Sequence, residues 1–170
     1  MDFRGIIKLA LDECFDDLRQ ALEGLTPAER RFQPQPDANH IDFLVWHTAR
    51  VEDSWMQSFA QHAMRIWQRD GWYQRLGLPE ESSGFGYTAE QVTNLPRFNF
   101  ADLMAYYAAV RDKTLPYLGG LTAADLDRCP EPERRPGYTI GRMFSHLLVE
   151  ESQHIGQVAY LRGLQRGLHW

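Results

Sequence analysis

Apolar residues recur at spacings of three and four over four separate stretches of the chain, the period of helices that bury one face. The first stretch runs from about Asp2 to Glu23, with Phe3, Ile6, Ile7, Ala10, Leu11, Cys14, Leu18, Ala21 and Leu22 in its stripe and Gly24 as its stop. The second is predicted from about His40 to Arg69, ending near Gly71, with Phe43, Leu44, His47, Val51, Ser54, Trp55 and Ser58 in line. The third opens on Asn99 as its cap and runs to about Leu118, where Pro116 is expected to kink or end it. The last follows the cap Thr139 and continues to about Arg166, on the order of 40 Å of helix at ~1.5 Å per residue.

The stretches between them read as connections. Thr26-Pro27-Ala28-Glu29 has the form of a short capped turn, with Pro just inside the start and Glu three residues after Thr. Pro34 and Pro36 make 33–39 a loop. From Gly71 to Asn99 the text turns to Gly, Pro, Ser and aromatics, a long connection with a short helix expected around Thr88 to Asn94. Thr122 to Asp125 reads as another short turn, and Cys129 to Gly137 as a Pro/Arg loop. Four amphipathic helices and no strand pattern predict an all-α four-helix bundle. Residues 1–170 form one domain, with long connections after helices 2 and 3 that permit more than up-and-down topology.

Composition narrows the function. The 18 Lys+Arg against 23 Asp+Glu give a formal charge of −5, with no basic run, which argues against nucleic acid as a partner. No apolar run reaches the ~20 residues of a membrane span, and the first residues do not read as a signal peptide, so a cytoplasmic location is expected. Cys14 and Cys129 are the two cysteines, too few for a disulfide framework or a multi-Cys zinc site.

The informative residues are polar groups on buried stripes. At 100° per residue Ile140, Met143, Leu147, Val158 and Leu161 share one face of the last helix with His154, and Glu150 and Glu151 flank that face. On the second helix His47 falls among Phe43, Leu44, Val51 and Trp55. Glu150 and His154 are four apart, one turn on one face. With His47 across the bundle, two nitrogens and a carboxylate oxygen can hold one divalent ion and leave a position open. Periodicity does not choose between Glu150 and Glu151, and His146–Glu150 is a rival pair. The ordinary reading of each is a core histidine and a solvated helix pair.

The stretch from Ser145 to Gly163, with His146, Glu150, His154, Gly156-Gln157 and Arg162, resembles the last helix of the DinB-like metalloprotein superfamily. His40-Ile-Asp-Phe-Leu-Val-Trp46-His47 is similar to that family's first-ligand motif. The resemblance implies a metal held by His47, Glu150 and His154. Many members carry His at the middle position; Glu150 looks more like the branch containing mycothiol-dependent maleylpyruvate isomerase, near the bacillithiol S-transferases. A carboxylate there shifts preference toward zinc, manganese or iron; zinc is the expected ion, with nickel, iron or manganese as other occupants. The resemblance also implies a homodimer, and a thiol-dependent S-transferase, isomerase or hydrolase acting on a small electrophile. In such an enzyme the ion lowers the pKa of a low-molecular-weight thiol or of water. The alternatives are a metal-binding stress or sensor protein without turnover, and a bundle that dimerises through an aromatic-rich helix and uses its polar core groups only structurally.

Around this centre Gln157 reads as a substrate- or water-binding amide or equally as a surface amide, Arg162 as attracting an acidic substrate or as complementing the helix C-terminus, and Gly156 as admitting a neighbouring backbone or as a tolerated glycine. His40 is expected at a helix start or near the site, and His62 and His169 at the surface. Glu52 and Asp53 read as solvated. Trp46, Trp55, Trp67, Trp72 and Trp170 read as core or interface mass.

Overall fold

The computed structural model describes residues 1–167. His169 and Trp170 lie outside them. The described residues contain no strand. Four long helices build the molecule: α1 (Phe3–Leu22), α2 (Ile41–Asp53, extended by a π-helical segment Ser54–Phe59), α3 (Phe100–Gly120) and α4 (Ile140–Arg166). Each begins on a side-chain cap, from Asp2, His40, Asn99 and Thr139 in turn. Thr26 and Glu29 form the expected capping box, and a second box from Thr88 and Gln91 opens the short helix Ala89–Thr93. Pro116 does not end α3. It is exposed near the helix end, beside exposed Asp112 and Lys113, where the carbonyl that loses its partner can face water.

Cross-helix contacts set the directions. Arg4 donates to the Leu121 carbonyl and Phe15 packs edge-on against Tyr107, so α1 and α3 are antiparallel. Arg162 reaches the carbonyls of Ala21 and Glu23, which makes α1 and α4 parallel. Arg50 meets Tyr106 and Glu52 meets Arg111, so α2 and α3 are parallel, and His47 beside His154 makes α2 and α4 antiparallel. The order is up, down, down, up. Two consecutive parallel helices need a return across the length of the bundle, which is the task of the segment 62–99.

The second helix is shorter than its pattern predicts. It does not run to Arg69; His62 takes a left-handed φ of 54° and a separate helix spans Ile66–Arg69. The Asp53 carboxylate accounts for the break. It accepts the backbone N–H groups of Ile66 at 2.8 Å and Trp67 at 2.9 Å. In a continuous helix residue 66 would stand ~20 Å from residue 53, so the chain must fold back to make these bonds.

Glu52 and Asp53 are fully buried, correcting the expectation that they are solvated. Glu52 receives Arg111 Nε at 3.1 Å, while Arg111 Nη2 lies 2.8 Å from both oxygens of Glu151 and Nη1 donates to the Leu11 carbonyl at 2.6 Å. One guanidinium thus ties α1, α2, α3 and α4 at a single level. It also divides the apolar core. Leu18, Ala49, Val110 and Ile155 lie in a cluster on one side, and Leu11, Met56, Leu118 and Leu147 in a cluster on the other. Burial, and then the charge of Glu52, pushes the Glu151 carboxyl far above its usual range.

Candidate metal centre

His47 leaves α2 toward α4 and is held from two sides. Its ring stacks on Phe43 with centroids 5.4 Å apart and planes 4° from parallel. Its Nδ1 lies 2.9 Å from the carbonyl oxygen of Ser83. A carbonyl only accepts, so Nδ1 carries the proton and Nε2 presents its lone pair. Burial lowers the His47 pKa, which keeps the ring neutral. The next residue, Gly84, has φ +78°, and a Cβ there would stand 2.5 Å from His47 Nδ1. Only glycine lets the loop approach this closely.

The loop itself is pinned from below. Trp67 Nε1 donates to the Glu80 carbonyl at 2.8 Å, and the buried Arg50 donates through Nε to the Ser82 carbonyl at 3.0 Å. Arg50 in turn meets Asp53 and Tyr106. The carbonyls of Glu80, Ser82 and Ser83 are therefore anchored to the core, the last of them by His47.

On α4 the residues His146, Glu150 and His154 follow one another at intervals of four. Glu150 Oε2 lies 3.2 Å from His154 Nε2, and Oε1 lies 3.6 Å from His146 Nε2. The rings of His47 and His154 meet edge to face, centroids 5.3 Å apart. One ligand atom from each of His47, Glu150 and His154 lies within 4.8 Å of the others. His146 stands outside this group, with its ring edge-on to Trp55 at 5.0 Å.

The donor set fits a divalent ion on a further observation. Both ring nitrogens of His154 are buried without a hydrogen-bond partner among the described residues; the Glu150 oxygen beside Nε2 is near enough but not aligned to accept from it. An imidazole desolvated in this way is destabilised, and an ion shared with His47 and Glu150 would satisfy it. Two imidazoles and one carboxylate are a donor set for a divalent ion and leave a coordination position open.

The remaining expectations separate clearly. Glu151, the other carboxylate left open by periodicity, is engaged by Arg111 and turned away from the histidines. Gln157 is exposed one turn beyond His154. Arg162 is placed two turns beyond, where its guanidinium donates to carbonyls at the end of α1. A methyl group at Gly156 would meet nothing within 4 Å, so no neighbouring backbone approaches it. His40 is the cap of α2: its Nδ1 accepts the Phe43 N–H at 3.0 Å, and its Nε2 lies 3.1 Å from the Val92 carbonyl. His62 is exposed, as expected, while Trp46, Trp67 and Trp72 are buried. Sequence periodicity missed Ser83, Gly84 and Arg50. The one signal in that stretch was the Gly84-Phe85-Gly86 pair of glycines in an otherwise long connection.

Comparison with known proteins agrees with this architecture. No curated protein matches the sequence. The crystal structure of the conserved protein of locus from Enterococcus faecalis superposes with a TM-score of 0.88 at 25% identity, covering 99% of this chain and 99% of that one. The sequence profile of the DinB superfamily matches residues 10–158, a span that includes all three residues of the cluster, and the chain belongs to that superfamily.

Proposed function

We propose that this protein is a divalent-metal-dependent enzyme in which His47, Glu150 and His154 hold one ion, with zinc as the favoured occupant. The observation that carries the proposal is the convergence of three ligand atoms within 4.8 Å, with both ring nitrogens of His154 buried and without a hydrogen bond among the described residues. The DinB superfamily is metal-associated, in keeping with such a centre. When bound, the ion supplies Lewis acidity, lowering the pKa of a thiol or a water at its open position. The chain's own groups do the rest. Ser83 fixes the tautomer and orientation of His47, a support of the kind that typically raises ligand basicity and affinity. Phe43 shields one face of that ring from water. Glu150 adds a negative charge that neutralises part of the ion's own.

The reaction class favoured is transfer of a low-molecular-weight thiol to a small electrophile, with hydrolysis as the variant when water is the nucleophile. The test begins with metal content. Protein purified without added metal is expected to carry close to one ion per chain, and His47→Ala, His154→Ala and Glu150→Gln are each expected to lose most of it. Full metal content in either histidine variant would remove these residues from the centre. Turnover of a panel of thiols and electrophiles by the loaded protein, absent in His154→Ala, then separates an enzyme from a metal-binding protein without turnover.

A further inference from the structure

A recess of about 180 Å³ is bordered by α2, α4 and the loop that carries Pro34, Ala38 and Asn39; none of His47, Glu150 and His154 lines it. Leu44 and Leu161 form its apolar base, Pro34 one wall, and Asn39, Gln157 and Tyr160 its polar rim. Leu44 precedes His47 by three residues and Gln157 follows His154 by three. Because α2 and α4 run antiparallel, both steps lead in the same direction, about one turn or ~5 Å from the imidazoles.

The chemistry of the lining is specific in what it omits. Among the described residues no charged side chain lines the recess. A carboxylate or ammonium placed there would be partly desolvated with no charged side chain of the lining to pair with it, which is unfavourable. The carboxamides of Asn39 and Gln157 make no hydrogen bond to any described residue. Each offers a donor and an acceptor. The loop that carries Asn39 is held in shape without them, since Gln33 Nε2 donates to the Ala38 carbonyl at 2.6 Å and Ala38 N–H to the Gln35 carbonyl at 3.0 Å. The recess is therefore formed before any ligand arrives. Its volume lies below the roughly 300–1,000 Å³ of pockets that take drug-sized ligands.

We infer that this recess is the substrate subsite of the metal centre and takes the remote end of a small, uncharged molecule: a compact apolar group carrying a carbonyl or amide. The inference rests on the proposed metal-dependent function. Asn39 and Gln157 bind the polar group of the substrate, Leu44 and Leu161 contact its apolar part, and the reacting atoms lie one turn away beside His47 and His154. Arg162, whose guanidinium donates to carbonyls at the end of α1, is not among the lining residues, and the substrate this subsite favours is neutral.

The test uses the full chain, zinc, and two isosteric probes, phenylacetamide and phenylacetate, followed by backbone amide NMR shifts. Phenylacetamide is expected to shift the resonances of Ala38, Asn39, Gln157 and Leu161, and phenylacetate to bind at least ten-fold more weakly. Gln157→Trp, on an exposed helix position, fills the recess and is expected to weaken phenylacetamide at least ten-fold while zinc stoichiometry stays unchanged. Zinc binding without amide binding, equal binding of the two probes, or a Gln157→Trp variant that binds the amide normally would each overturn the subsite. Amide binding in a chain that takes up no zinc would overturn the metal centre, and with it the subsite's place in a reaction.

Discussion

At the scale of single residues the site depends on a glycine that bears no chemistry. Gly84 occupies φ +78° against the edge of His47, with 2.5 Å available where a methyl group would sit. Gly84→Ala therefore carries two penalties: a left-handed conformation worth ~1–2 kcal/mol in an L-residue, and a collision that breaks the Ser83–His47 hydrogen bond or tilts the ring. Loss of a supporting bond of this kind typically lowers metal affinity 10–100-fold. Zinc titration of Gly84→Ala against a competing chelator is expected to show a loss in that range, with the helical circular dichroism unchanged. Wild-type affinity in the variant would mean that Ser83 does not orient the ligand. His47 was legible in the sequence because a polar residue interrupts an apolar stripe. Its supports were not, because Ser83 lies 36 residues away in a loop with no period to read.

At the scale of elements, α2 shows where the reading by one buried stripe fails. That reading assumes a helix with one wet face, but α2 is the inner helix and buries Asp42, Arg50, Glu52 and Asp53 as well as its apolar residues. Each of these charges has a partner from another part of the chain or one turn away: Arg30 for Asp42, Arg111 for Glu52, and Arg50 with Tyr106 for Asp53. Charge identity alone cannot distinguish such a position from a solvated one. The start of the same helix is titratable. Burial lowers the pKa of the capping His40 from 6.5 to about 4. The unfolded chain takes up a proton below pH 6.5 while the folded cap resists it until about pH 4. The stability that the neutral cap maintains is therefore complete above pH 6.5 and is lost as pH falls from there to about 4, by on the order of 3 kcal/mol. In urea unfolding over that window, His40→Asn, which can also cap a helix, is expected to show a shallower loss than the wild type. An identical slope would assign the acid sensitivity to other groups.

At the scale of the whole molecule, the helix order and most boundaries were readable from period and caps, whereas the direction of α3 was not, since it depends on how 62–99 returns across the bundle. The resulting up, down, down, up arrangement places His47 on one helix against Glu150 and His154 on its antiparallel neighbour. An ion held by the cluster would clasp α2 to α4, in addition to the buried Arg111 that joins all four helices. A ligand that binds only the folded chain stabilises it by about 2.7 kcal/mol at a free concentration 100 times its Kd. For a chain of this length each kcal/mol moves the midpoint of thermal unfolding by about 2–4 °C. Zinc at that excess is thus expected to raise the midpoint by roughly 5–11 °C, and a chelator to reverse the rise. The increment should shrink at acid pH, because ligation requires neutral imidazoles, and burial of His47 displaces the protonation of that ring to below its ordinary range. His47→Ala should abolish the zinc-dependent increment while leaving a folded, Arg111-tied bundle whose metal-free midpoint is close to that of the wild type. A zinc-induced rise of the same size in His47→Ala would place the stabilising ion elsewhere on the protein, and the two antiparallel helices would then be held by packing alone.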